Sequence, residues 1–252
     1  MAMHPLRPGT IKIKATIAGD EVRTALAAYG RSGSTAPGHE IYFCERPSPV
    51  RLLPLLDEAV ILRIRRHRQG QGDVTVTLRP CRPGRLSGQW GAFRRSAHHE
   101  LRIEGDWTHD RHVVAASLVH RVSADDLCQA LDSRPYDLGR LFSARQRRYL
   151  AECANLDLDL GGLRLLGPVN ARQWRLREPR FAITAERWTG RIPGDPSGIN
   201  FLELSVMAEP DDAALIQPAF LASIRRGGVD PYAFQQTKTR HVLQRLAASK
   251  SA

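Results

Sequence analysis

Short runs in which apolar and polar side chains alternate dominate the chain as far as residue 208. TIKIKATI (Thr10–Ile17) has period two and predicts a strand. Gly19 and Asp20 then lead into EVRTALAAYG, a short helix closed by Gly30. HEIYFCE (His39–Glu45) reads as extended, and Pro54 in the next segment argues for a short helical turn. AVILRIRR (Ala59–Arg66) and DVTVTLR (Asp73–Arg79) form the clearest hairpin, joined by HRQGQG. HELRIEGDW (His99–Trp107) pairs with RHVVAASLV (Arg111–Val119) across a THD turn. DDLCQAL at 125–131 reads as a helix with Ser123 as its cap. A glycine-rich turn and a polar stretch follow, then two more strands, FAITAERW and NFLELSVMA. From Asp211 the pattern becomes helical, interrupted by Pro218. Eight to ten strands with helices between and after them describe one α+β domain. Non-local pairing on that scale fits a closed barrel or a strongly curved sheet, because closure removes edges.

The strands share a parity. Lys12 and Lys14 alternate with Ile11 and Ile13; Arg63 and Arg65 with Leu62 and Ile64; Arg102, Glu104 and Asp106 with Leu101 and Ile103. Thr75, Thr77 and Arg79 oppose Val74, Val76 and Leu78, and Glu203 and Ser205 oppose Leu202, Leu204 and Val206. One arrangement places the charges outside on a wet sheet face. The other turns them into a barrel, with the aliphatic faces outside under helices. The inward set would then be Lys12, Lys14, Arg63, Arg65, Arg79, Arg102, Arg145 and Arg147 against Glu104, Asp106 and Glu203, eight basic to three acidic. That many like charges are not desolvated together without an anion. Arginine's donor fork suits phosphate oxygens, and wall carboxylates could hold a divalent cation bridging protein and phosphate.

Composition adds constraints rather than a function. The 252 residues carry a formal charge of +11, from 37 basic and 26 acidic residues. An anionic partner follows from this only if the charge is concentrated somewhere. No apolar run is long enough for a membrane helix, no apolar leader precedes the first strand, and four scattered cysteines suit a reducing cytoplasm. No P-loop or dinucleotide fingerprint is present. The adjacent His98 and His99 face opposite ways on a strand, and His109 and His112 flank a turn. The arginine-dense stretch Arg63–Arg95 would suit RNA. Aromatics at 6% and the lack of an RNA-binding motif make nucleic acid the weaker partner. Lys238, Arg240 and Arg245 read as the solvated side of an amphipathic C-terminal helix.

The order of these motifs resembles the CYTH superfamily, the triphosphate tunnel enzymes that include class IV adenylate cyclase and thiamine triphosphatase. IYFCERPSPVRLL followed by ILRIRR resembles the tyrosine-bearing strand and the LR-x-R strand, through Leu62, Arg63 and Arg65. VTVTLRP resembles a phosphate-binding strand with Arg79 in a lysine's place. RIEGDW resembles R-x-E-x-E, with Arg102, Glu104 and Asp106. ARQRRYLAE resembles the K-x-R strand, giving Arg145 and Arg147, and FLELSV the late E-x-E strand, with Glu203 and then Ser205.

The resemblance runs from about residue 10 to 207. It implies an eight-stranded antiparallel tunnel with flanking helices, the whole chain forming one such domain and 211–249 its C-terminal helices. It also implies a tripolyphosphate, or a nucleoside- or thiamine-type triphosphate, clamped by basic residues and hydrolysed or rearranged with Mg²⁺ or Mn²⁺. Glu104, Asp106 and Glu203 would carry the metal, and Glu104 and Asp106 would serve catalysis. The N-terminal E-x-E-x-K signature departs: T-I-K-I-K or K-I-K-A-T stands there, without either glutamate. Hydrolysis, binding without catalysis, and RNA binding on a basic surface all remain open at this stage, as do the substrate, cyclase against hydrolase chemistry, and oligomeric state.

Overall fold

The computed structural model describes residues 8–29, 36–48, 52–67, 71–86, 88–132, 137–178, 180–234 and 236–249. Gly30 and the hairpin turn at 68–70 lie outside them. The strands are β1 (Thr10–Ala18), β2 (Gly38–Glu45), β3 (Val60–His67), β4 (Gly72–Leu78), β5 (His99–Trp107), β6 (His112–Val122), β7 (Arg164–Arg177), β8 (Ala182–Ile192) and β9 (Asp195–Ala208). The helices are α1 (Glu21–Ala28), α2 (Pro54–Asp57), α3 (Gln89–Ala92), α4 (Ala124–Asp132), α5 (Ala144–Ala154), α6 (Ala213–Arg226) and α7 (Lys238–Ser249).

The sheet closes on itself in the order β1-β5-β6-β4-β3-β2-β7-β8-β9 and back to β1. Its neighbours are antiparallel except β1 and β5, which run parallel over a short register from Thr10↔Glu104 to Ile13↔Trp107. The closed barrel and flanking helices are as the sequence suggests, with nine strands in place of eight. The unforeseen strand is β7. Gly167 and Pro168 interrupt its sequence, and the β2–β7 register slips between Ile41 and Phe43 to accommodate them.

Cross-strand partners project to the same side of a sheet, so the registers fix the parity of the whole barrel. Thr16 faces Glu203, Glu203 faces Glu186, Arg63 faces Thr75 and Arg65 faces Asp73. Arg102 faces Ser117, and Ser117 faces Thr77. All of these point into the lumen. The aliphatic faces point out: Ile11, Ile13 and Ile17 are buried with α1 and α6, and Val74, Val76, Leu101 and Leu118 with α4 and α5. Burying each such side chain stabilises by roughly 1.5–3 kcal/mol, so the helices clamp the barrel from outside.

The ARQRRYLAE segment is helix α5 rather than a strand. Ser143 and Gln146 form a reciprocal capping box at its start. Gln146, fully buried, donates from its side-chain amide to the carbonyls of Val74 and Leu118 at 2.9 and 3.1 Å, stitching α5 to β4 and β6. The exposed face that remains holds Arg145, lying over the Phe93 ring, and Arg147, which donates to the Gly139 carbonyl. Both arginines are therefore outside the lumen.

The C-terminal helix is placed differently from its sequence reading. Val242, Leu243, Leu246 and Ala247 of α7 pack with Ile41, Phe43, Ile61, Trp188 and Phe201, side chains on the lumenal parity. Thus α7 fills the apolar end of the barrel. Arg240 holds Asp57 of α2 at 3.1 Å, and Arg245 pairs with Asp195 at the start of β9.

Replacing Gln146 by alanine leaves two buried carbonyls without their donor and opens a void. The expected loss is about 2–3 kcal/mol. Urea denaturation reads it as a lower midpoint at unchanged slope.

Candidate functional site: a charged lumen stoppered by a helix

Between the apolar end and the open rim, alternate residues of six strands bring ionised side chains together. On β1, Lys12 bonds Glu203 of β9 at 3.1 Å, and Lys14 pairs with Asp106 of β5. Arg79, just beyond β4, holds the other oxygen of Asp106 at 2.9 Å. Arg65 of β3 grips Asp73 of β4 through Nε at 2.9 and 3.1 Å, and the Thr75 hydroxyl donates to the same carboxylate. From the first turn of α7, Lys238 reaches Glu186 of β8 at 2.9 Å and Glu203 at 3.3 Å. The Lys238 ammonium also sits 3.9 Å from the centre of the Trp188 ring. At 5% exposure, Lys238 is no solvated surface residue.

Arg63 is the exception in this network. It lies between Phe43 and Thr75 across its two neighbouring strands. Its Nε is buried without an acceptor, and among the described residues no carboxylate forms an ion pair with it. Burial, reinforced by Arg65, brings its guanidinium down to about 10. The deep lumen thus sets six cations (Lys12, Lys14, Arg63, Arg65, Arg79, Lys238) against four carboxylates (Asp73, Asp106, Glu186, Glu203). Of the surplus of two, one is Arg63 and the other arises because Lys14 and Arg79 share Asp106.

Electrostatics follow from these contacts. Burial would raise Asp106, but Lys14 and Arg79 hold its carboxyl below the usual range. Burial likewise opposes ionisation of Glu203, yet Lys12 and Lys238 keep it well below. Lys12 is raised, because Glu203 and Glu186 outweigh its own burial, whereas burial lowers Lys14. His39, close to Glu186 and with its ring tilted against that of His67 at 5.3 Å, is pushed down to about 4, chiefly by burial.

The site residues expected from the sequence therefore divide. Lys12, Lys14, Arg63, Arg65, Arg79, Asp106 and Glu203 converge. Arg102 and Glu104 share their parity, but Arg102 is exposed and bonds Glu100 at 2.8 Å, and Glu104 pairs with none of the cations named above. Arg145 and Arg147 are elsewhere. Asp73, Glu186 and Lys238 complete the network and were missed. Two of them were legible: Glu186 and Thr184 alternate with Ile183 and Ala185, and Asp73 shares the parity of Thr75. Nothing in the local sequence marks Lys238 as a lumen residue.

Glu104, Asp106 and Glu203 do not form a metal centre. Among the described residues, no three histidine, cysteine, aspartate or glutamate side chains come together as metal ligands. Asp106 and Glu203 are each already held by two cations, and Lys12 and Lys14 occupy the strand where the superfamily pattern has glutamates. This donor set does not fit Mg²⁺ or Mn²⁺.

Among solved structures, a candidate adenylate cyclase from Bacillus halodurans matches with a TM-score of 0.55 over 92% of this chain and 98% of its own, at 12% identity. The two chains share one fold. A candidate adenylyl cyclase from Hippeastrum, described as having a dominant triphosphatase activity, covers 86% of this chain and 88% of its own at 14% identity, with a TM-score of 0.49. At such identities the likeness concerns the fold alone. No protein-family model matches the chain, and no curated protein matches it in sequence. No described helix is long and apolar enough to cross a membrane.

Two outcomes follow for this barrel. Arg63→Met removes a half-buried charge whose Nε has no acceptor and should stabilise the fold by about 1 kcal/mol, raising Tm by roughly 2–4 °C in calorimetry. His39, facing Glu186, Arg65, His67 and Arg63, stays neutral when folded down to about pH 4. The unfolded chain protonates it below about 6.5, so the unfolded state binds more protons between those values. Stability contributed by His39 is full above that window and falls as pH drops through it. His39→Gln should flatten the pH dependence of the denaturation midpoint over the same interval.

Proposed function

We propose that the lumen binds a short polyphosphate chain, either tripolyphosphate or the triphosphate of a small organic molecule, and does so without a metal ion. The observation that carries this reading is Arg63, a half-buried side chain whose Nε is buried without an acceptor and which, among the described residues, pairs with no carboxylate, in the field of Arg65 and Arg79. A phosphate oxygen supplies what that group lacks: negative charge, and acceptors matched to its fork. Lys12, Lys14, Arg65 and Arg79 would then share their carboxylates with the incoming phosphates. The barrel also matches the fold of a candidate adenylate cyclase.

Binding is supported better than hydrolysis. A general base must be free to accept a proton near neutral pH. Asp106 and Glu203 are instead held ionised at low pH by the lysines and arginine around them. Neither is poised to activate water, and the metal-dependent route has no fitting ligand set.

Calorimetric titration with tripolyphosphate in EDTA tests the proposal. Saturable binding is expected, weakened roughly 10- to 100-fold by Arg63→Ala. Phosphate release should stay at background with or without Mg²⁺ or Mn²⁺. Absence of saturable binding would sink the reading, as would length-dependent RNA binding indifferent to Arg63→Ala.

A further inference from the structure

Glu186 and Glu203 stand directly opposite each other on β8 and β9, both facing the lumen and largely buried. Like charges placed so closely on neighbouring strands are destabilising and require a counter-cation. In an oxygen-lined site that cation is commonly a divalent metal. Here the space between the carboxylates is taken by the Lys238 ammonium, at 2.9 Å from one and 3.3 Å from the other, with the Trp188 ring against its remaining face. Lys12 adds a second contact to Glu203 at 3.1 Å.

We infer that Lys238 is a tethered cation, delivered by the C-terminal helix, which replaces a metal ion between Glu186 and Glu203. Three observations carry this. The position is enclosed, so the ammonium is held by its contacts rather than by solvent. It is fixed from a distance, since α7 is seated by Val242, Leu243 and Leu246 in the apolar end and by the Arg240–Asp57 and Arg245–Asp195 pairs. Finally, it is sufficient: with Lys12 it balances both carboxylates, which a monovalent group can do only as one of two.

The helix therefore both stops one end of the lumen and satisfies its acidic wall. The inference rests on the proposed phosphate site only for its consequence, that phosphate binding there needs no metal. It is tested with Mn²⁺ alone, so the two readings can fail separately.

The experiment titrates the full chain with Mn²⁺ in the absence of phosphate, followed by electron paramagnetic resonance and by Tm. The wild type is expected to show no saturable binding. Lys238→Met keeps the length of the side chain but leaves two carboxylates against one lysine. It should bind one Mn²⁺ at least tenfold more tightly than the wild type, and its Tm should rise with added Mn²⁺. Lys238→Met/Glu186→Gln removes one cation and one anion together and should lose the acquired affinity. Equal Mn²⁺ behaviour of a folded Lys238→Met and the wild type, whether both bind or neither does, would overturn the inference. If Lys238→Met does not fold, the double variant decides: folding of the charge-balanced chain supports the assignment, and its failure to fold overturns it.

Discussion

The interior of this barrel is constrained by one requirement: charge taken out of water must be balanced by charge or by hydrogen bonds. Burying a lone ion costs several kcal/mol even after relaxation, more than most single packing contacts return. The consequences spread outward from the lumen. Carboxylates on β4, β5, β8 and β9 pair with cations on β1, β3 and α7, so that strands distant in sequence are fixed in register by the same ions that fill the interior. The aliphatic residues of those strands are displaced to the outer face, and the helices must cover them.

This inverted arrangement explains why a chain with an ordinary apolar content can enclose a polar tunnel. The barrel wall is dry on its outside, where helices α1, α4, α5 and α6 pack, and ionic on its inside. The end occupied by α7 is apolar on the lumenal side, where Phe43, Trp188 and Phe201 meet Val242 and Leu246. Function and stability then oppose each other at Arg63. Under the proposed reading, the residue that would attract a phosphate is also the one whose charge is least compensated.

Alternation along the strands was enough to group the charged side chains of each strand on one face, because a period of two is a local property of the backbone; closure of the barrel turned that face inward. Lys12, Lys14, Arg63, Arg65, Arg79, Asp106 and Glu203, grouped in that way, share the lumen. The grouping failed where alternation is broken or where another period competes. Gly167 and Pro168 disguised β7. In ARQRRYLAE the spacing of Arg145 and Arg147 suits a strand, but Ser143 and Gln146 cap a helix and carry the arginines outside. The lumen consequently proved less basic than the sequence suggested, since Asp73 and Glu186 entered it and two arginines left.

Residue order determined the charged face of each strand, the apolar face opposite, and the absence of glutamates from the first strand. The backbone writes those features locally, one residue at a time. Only the tertiary structure decided which charges meet. Glu186 lies opposite Glu203 because β8 pairs with β9, and Lys238 joins them because α7 is seated in the barrel's apolar end. Ion pairing depends on distances of a few ångströms between segments far apart in the chain, and closure of the barrel sets those distances.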